Sequence, residues 1–164
     1  MTEHVLAEFG DASEPEPIRV EPTRFEPPES EAAGPFWAAT RERRLVLQWC
    51  RSCDRPVHFP RDACPSCLGT DLEFRPASGR GTVYAGSVMP KPANPMMAGR
   101  EPYAVALVDL DEGVRMMSNI VGVDADSVHV GMGVRITWEP LSDGRNLPQF
   151  EPDTPTDCGS DGNR

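Results

Sequence analysis

The chain has 164 residues, which is enough for one ordinary domain or for a small module joined to a second one, but not for two large cores. It contains 18 Pro and 14 Gly, while aromatic residues make up only 7%, so short strands joined by many turns are favoured over a helical bundle. The formal net charge is -10, but residues 1–35 hold nine acids against two arginines and residues 151–164 hold four against one. Residues 36–150 are therefore formally neutral, and the overall acidity does not exclude a phosphate-bearing ligand.

The two ends of the chain lack the composition of a folded core. Residues 1–33 are rich in Glu and Pro, and residues 153–164 are polar and rich in Gly and Asp, so we predict a disordered acidic tail at each end. No apolar run approaches the length of a membrane span, and the N-terminal residues lack the positive charge and apolar block of a signal peptide. We expect a soluble, cytoplasmic protein that does not bind a membrane.

The first predicted elements are a short helix and a strand. Pro35 is suited to a first helical turn and is followed by Phe36 and Trp37, whereas residues 45–49 have the apolar, β-branched character of a strand. A second short extended piece covers residues 56–60. Together with the cysteines that follow each piece, residues 34–78 are predicted to form a helix and a zinc ribbon.

Two C-x-x-C pairs dominate this segment. They are separated by ten residues and consist of Cys50, Cys53, Cys64 and Cys67. In a reducing compartment such pairs indicate metal binding, and four thiolates form a closed tetrahedral shell with no open position for a substrate. The sequence therefore predicts one structural zinc ion, with rubredoxin-like iron as the alternative that four cysteines alone do not exclude.

The remaining titratable residues show no catalytic constellation. His58 lies between the cysteine pairs, but four thiolates already fill the shell, so we expect a surface or hydrogen-bonded histidine. Asp109, Asp111 and Glu112 surround a hairpin turn and are interpreted as solvated turn residues. Cys158 has no recognisable activating neighbourhood. We assign no catalytic residue.

Residues 79–152 are predicted to be all β. Residues 81–88, 103–110, 115–121 and 134–139 are clear strands, and four or five short strands suggest a small OB-like barrel without exposed edges. The long Pro-rich loop 89–102 is either a binding loop or a disordered connection. Its two cations, Lys91 and Arg100, are candidate anion-binding residues by charge and position alone.

The order of these motifs resembles a known family. It runs from Phe36-Trp37 through the two cysteine pairs, with Phe59-Pro60-Arg61 between them, to Ser78-Gly79-Arg80-Gly81 and Leu147-Pro148-Gln149-Phe150. Residues 35–150 are similar to zinc-ribbon proteins with an OB-fold, long known as a domain of unknown function and associated with acyl-CoA metabolism. The resemblance implies a rubredoxin-like ribbon followed by a five-stranded OB-fold barrel.

The resemblance also implies a function. Members are non-catalytic subunits that help a thiolase-like, lipid-transfer-type or synthase partner to hold acyl-CoA, and one such pair performs a retro-aldol cleavage in steroid side-chain degradation. If the resemblance holds, Lys91 and Arg100 are the candidate acyl-CoA-binding residues, chosen by charge and loop position alone. Two alternatives remain open, a single-stranded nucleic-acid-binding module and a rubredoxin-like electron carrier. The nucleic-acid reading needs a cationic groove with stacking aromatics, and the barrel segment has few cations against eight acids.

Overall fold

A computed structural model describes residues 26–91 and 97–153 and confirms a mainly β protein with one short helix. The elements are helix α1 (Gly34–Arg41) and strands β1 (Val46–Cys50), β2 (Arg55–Val57), β3 (Leu72–Pro76), β4 (Arg80–Met89), β5 (Tyr103–Leu110), β6 (Arg115–Ile120), β7 (Gly133–Pro140) and β8 (Asn146–Pro152). Two short 3-10 turns lie at Glu31–Ala33 and Ala125–Ser127.

Helix α1 joins the ribbon to the barrel. Pro35 lies in its first turn, and the helix buries Phe36, Trp37 and Thr40 against the main core. The Asn146 side chain donates to the Thr40 carbonyl oxygen at 2.8 Å, which ties the helix to β8. Because both residues are buried, this hydrogen bond forms in a low-dielectric setting where an unmade bond is costly.

The ribbon is a three-stranded antiparallel sheet in the order β2-β1-β3. Strand β3 was not expected from the sequence: its apolar and charged residues alternate, but over only four positions, and most of its residues are only half-buried. Glu73 connects β3 to the residue that follows β1, since its carboxylate accepts from Arg51 at 2.6 Å; it also accepts from Arg75 of the same strand at 2.6 Å. The first half of β1 packs into the main core, whereas Cys50 at its end belongs to a separate small cluster around the cysteines.

Strands β4 to β8 form a closed barrel in the order β4-β5-β6-β8-β7, which confirms the OB-like architecture. Along β5 every second residue is buried, as a strand with one face toward a core requires. Strand β8 supplies the fifth strand: it pairs with β7 over its whole length and meets β6 in parallel at Ile120 and Phe150. Phe150 fills the centre of the barrel and is completely buried.

Two backbone features shape the barrel face formed by β4, β5 and β6. Gly113 has φ of +89° in the predicted hairpin turn between β5 and β6, a conformation that favours glycine. A register shift lies between Val83 and Ala85 of β4, so Tyr84 bulges outward and is half-exposed.

The end of the predicted N-terminal tail contacts the barrel. Residues 1–25 and 154–164 lie outside the described residues, whereas residues 26–33 form hydrogen bonds with the barrel. Arg145 donates to the Pro27 carbonyl oxygen at 2.9 Å, and the Ser142 amide donates to the Glu26 carboxylate at 3.1 Å. Tertiary hydrogen bonds thus order a segment whose composition alone predicts disorder. Among the described residues, no helix is long and apolar enough to cross a membrane.

Candidate metal centre and its surroundings

The four cysteines of the two C-x-x-C pairs converge at one point. Their sulfur atoms all lie within 4.8 Å of one another, with 3.6 Å between Cys50 and Cys67 and 3.6 Å between Cys53 and Cys64. Four sulfurs bound about 2.3 Å from one zinc ion stand about 3.8 Å apart in a tetrahedron. The donor set and its dimensions therefore fit a single zinc ion.

Each cysteine pair is held by a tight turn. In the second pair, the Leu68 amide donates to the Cys64 carbonyl oxygen at 2.9 Å, and the Ser66 amide approaches the Cys64 sulfur at 3.4 Å. The amides of Cys67 and Ser66 lower the pKa of Cys64 to about 6, because N–H donors stabilise the thiolate. This turn prepares an anionic sulfur ligand before any ion binds.

In the first pair, the surroundings of Cys53 raise its pKa instead of lowering it. A hydrogen bond with Cys50, together with burial, raises the pKa of Cys53 to about 12. A divalent cation at the centre would favour the thiolate form of all four residues. The four thiolates would complete its shell, so the centre stabilises the ribbon and offers no position to an attacking water.

His58 differs from the expectation of a surface or hydrogen-bonded histidine. Both ring nitrogens are buried, and neither has a hydrogen-bond partner within the described ranges. Burial, and then the charge of Arg61, lowers the pKa of His58 to about 4. The ring packs on Phe59, with 4.1 Å between the ring centroids, so it serves as an uncharged packing residue. The expectation is wrong because it rested on the filled metal shell, which excludes His58 as a ligand but does not determine where its ring packs.

Sequence reasoning also missed a pair of hydrogen bonds, here called the clamp, that attaches the ribbon tip (residues 58–61) to β1. Gln48 is buried in β1; its side-chain nitrogen donates to the Arg61 carbonyl oxygen at 2.9 Å, and its oxygen accepts from the Arg61 amide at 3.0 Å. Arg61 also donates from Nε to the carbonyl oxygen of Phe59 at 3.1 Å, and Phe59 is 61% exposed. A lone glutamine within an apolar strand was the available signal, because a buried amide needs specific partners.

The two candidate anion-binding residues lie at the ends of the β4–β5 loop. Lys91 is exposed, whereas Arg100 forms an ion pair with Glu139 of β7 at 2.6 Å. Residues 92–96 between them lie outside the described residues. The charge of Arg100 is therefore already balanced, and its role in binding an anion remains a prediction.

The acidic cluster at the hairpin has structural partners. Asp109 accepts two hydrogen bonds from Arg115, at 2.6 Å and 2.9 Å, and this contact lowers the pKa of Asp109. Glu112 accepts from the Ser78 amide at 2.5 Å. His129 contacts the Ser127 carbonyl oxygen at 3.0 Å. These contacts place the residues in turns and cross-strand pairs, while Cys158 and His4 lie outside the described ranges.

Comparison with known families gives matches over most of the described chain. Residues 37–73 match the model described as "ChsH2, rubredoxin-like zinc ribbon domain", and residues 74–139 match "ChsH2, C-terminal OB-fold domain". The boundary between these matches falls within β3, the last strand of the ribbon sheet.

Known proteins of several kinds are similar to the chain. A DUF35 domain-containing scaffold protein of Methanocaldococcus jannaschii is 33% identical over 65% of this chain and 77% of its own length. A probable enoyl-CoA hydratase alpha subunit of Thermomonospora curvata is 40% identical over 73% of this chain, and the match spans only 37% of that protein. A solved structure described as "Ltp2-ChsH2(DUF35) aldolase" aligns with a TM-score of 0.71 and 36% identity, covering 79% of this chain and 100% of that one.

Proposed function

Because the chain belongs to the DUF35 family, whose ChsH2-type domains comprise a rubredoxin-like zinc ribbon and an OB-fold, we propose that it is a non-catalytic accessory subunit of a thiolase-superfamily enzyme that acts on acyl-CoA. The partner would be a thiolase or a lipid-transfer-type retro-aldolase, acting on steroid or other acyl-CoA side chains. One observation carries the proposal: the chain corresponds over its folded part to a whole chain in the structure described as an aldolase.

The metal centre supports a non-catalytic role. Its four cysteine ligands leave a bound zinc ion without an open coordination position, so the centre would supply folding free energy rather than Lewis-acid chemistry. Two of the acids near the hairpin have partners: Asp109 pairs with Arg115, and Glu112 accepts from the Ser78 amide. The bond-breaking groups would then belong to the partner enzyme.

The barrel's charges argue against the nucleic-acid alternative. Five of its arginines each form an ion pair with a carboxylate, namely Arg80, Arg100, Arg115, Arg135 and Arg145. Phosphate binding relies on cations that are free to replace counterions. An arginine already neutralised by a neighbouring carboxylate contributes little to such binding.

A co-purification experiment tests the proposal. The tagged full chain is recovered from native lysate, and its stoichiometric partners are identified by mass spectrometry. We expect a thiolase-superfamily protein, whose activity on acyl-CoA esters rises when this chain is added back. Unchanged activity of the purified partner without this chain would reject the accessory role, and salt-sensitive recovery of single-stranded nucleic acid would favour the alternative.

Zinc-site variants provide the matched control. Cys53→Ser removes one metal ligand and should abolish stimulation of the partner, whereas Cys158→Ser is the same chemical change outside the described ranges and should preserve it. Zinc content is measured on both proteins, so that loss of stimulation can be related to loss of metal.

A further inference from the structure

A cavity of about 570 Å³ lies between the barrel, helix α1 and the ribbon tip. None of the four metal ligands lines it, and the family descriptions assign it no role. Its floor is the outer surface of β5 and β6, including Val105 and Met117, and its sides include Trp37 of α1 and Phe59 of the ribbon tip. The volume is within the range of small-molecule binding pockets.

Residues 26–33 form the remaining wall. Pro27, Pro28, Ser30 and Ala33 line the cavity, and this segment precedes both family-model matches. The wall is fixed to the barrel by Arg145, whose side chain is only 6% exposed and donates to the Pro27 carbonyl oxygen. Arg145 also pairs with Asp143 and lies over the Trp37 ring, 4.7 Å from its centroid.

The chemistry of the lining selects an uncharged ligand group. Among the described residues that line the cavity, none is Asp, Glu, Lys, Arg or His. A phosphate or carboxylate placed inside would lose its hydration without gaining a counter-charge, which is strongly unfavourable. The phosphate-bearing end of a CoA thioester would therefore have to remain outside.

Two polar side chains of the floor already have backbone partners. Ser118 donates to the Pro148 carbonyl oxygen at 2.8 Å, and the Asn119 side chain donates to the Ala104 carbonyl oxygen at 3.0 Å. The floor consequently offers mainly carbon surface to a ligand. Such a surface suits a hydrocarbon group better than the amide-bearing arm of CoA, whose polar groups need hydrogen-bond partners.

We propose that this cavity binds the hydrocarbon acyl group of a thioester substrate, and that residues 26–33 are the wall that limits which acyl groups fit. This proposal rests on the proposed function, because it takes the ligand to be an acyl-CoA. The inference specifies which part of the ligand is recognised, the acyl group. It also assigns specificity to residues 26–33, which precede the two family-matched domains.

Binding of acyl-CoA esters of increasing length tests the inference. Dissociation constants of the full-length chain for CoA, butanoyl-CoA, octanoyl-CoA and dodecanoyl-CoA are measured by calorimetry, with Trp37 fluorescence as a second signal and Trp37→Phe as its control. We expect affinity to rise with chain length by up to about fourfold per buried methylene, with CoA the weakest ligand. Equal affinity for all four ligands, or no binding by either the chain or its partner complex, would overturn the proposal.

Two pairs of variants locate the site. Removal of residues 1–33 should reduce the chain-length dependence, whereas removal of residues 1–25 leaves the wall in place and should preserve it. Val105→Trp fills the cavity and should weaken dodecanoyl-CoA binding by at least tenfold. Leu107 lies two residues further along β5, outside the cavity lining, so Leu107→Trp should leave the affinity for dodecanoyl-CoA unchanged. Zinc content and circular dichroism confirm that each variant is folded.

Equal effects of the two tryptophan substitutions would place binding elsewhere and reject the cavity. Failure of the inference can be distinguished from failure of the proposed function, because partner recovery and stimulation are measured separately. A chain that stimulates its partner without chain-length-dependent binding would refute only the cavity proposal.

Discussion

Cys53 is a metal ligand whose pKa is raised to about 12 by a hydrogen bond with Cys50 and by burial, so its thiolate form depends on a bound cation. We predict that Cys53→Ser lowers the zinc content from one ion per chain to roughly one-tenth or less, because a three-thiolate shell with a weak hydroxyl ligand is incomplete. Elemental analysis of the purified protein measures this directly. A red, iron-containing wild-type protein would instead support the electron-carrier alternative.

His58 gives a prediction about pH. Its ordinary pKa is about 6.5, and burial lowers it to about 4 in the folded chain. Between these values the unfolded chain binds a proton that the folded chain does not, so the free energy of unfolding falls as the pH is lowered through this window. Above about pH 6.5 the ring is neutral in both states and adds no pH dependence.

The variant His58→Leu should remove this contribution. Urea midpoints of the zinc-loaded wild type and variant are compared at pH 7.5 and pH 5.5. We expect the variant to gain stability relative to the wild type at the lower pH, because it has no ring to protonate in the unfolded state. An identical difference at both pH values would contradict burial of an uncharged imidazole.

At the scale of elements, the contact between α1 and β8 depends on one buried amide. Asn146→Ala removes the donor to the Thr40 carbonyl oxygen and leaves that oxygen without its side-chain donor in a buried position. We predict a loss of about 1–3 kcal/mol in the free energy of unfolding, measured by urea denaturation. Ser127→Ala removes an exposed local hydrogen bond and should change stability by less than about 0.5 kcal/mol. Similar midpoints for the two variants would show that the Asn146 side chain adds little to the attachment of the helix.

The elements also show what the sequence could reveal. Strand β5 was predicted with its observed bounds, because its alternating apolar residues directly reflect one buried face. The metal ligands were predicted equally well, since two C-x-x-C turns place their sulfurs together by local geometry. Strand β8 contains two prolines, so its own pattern did not define it, and the family resemblance supplied the fifth strand.

The cavity wall could not be predicted from the sequence, for a different reason. Residues 26–33 have no apolar periodicity, and their order depends on Ser142 and Arg145, more than 100 positions away in the chain. Composition predicts whether a segment can form its own core, but it does not reveal a distant partner. His58 is the same kind of case, because its burial follows from the folded shape of the ribbon.

At the scale of the whole molecule, two separate apolar clusters predict two levels of stability. The cluster around Cys50, Cys64 and Val57 depends on the metal, whereas the main core fills the barrel. We predict that a zinc chelator releases the amides of residues 53–68 to rapid hydrogen exchange while residues 104–110 remain protected. Exchange measured by mass spectrometry checks this, and simultaneous loss of protection in both regions would show that ribbon and barrel unfold as one unit.

The late position of β8 in the chain also bears on how the protein is made on the ribosome. All four zinc ligands lie between residues 50 and 67, so they can meet soon after they emerge, whereas barrel closure requires residues 146–152. Helix α1 is synthesised before the ribbon, yet its buried partner Asn146 comes 106 residues after Thr40. Contacts of such high contact order form slowly, and N-terminal units generally fold first during translation. Metal loading of the nascent chain would therefore precede closure of the barrel. Helix α1 could pack on its β8 partner only after residues 146–152 have left the ribosome.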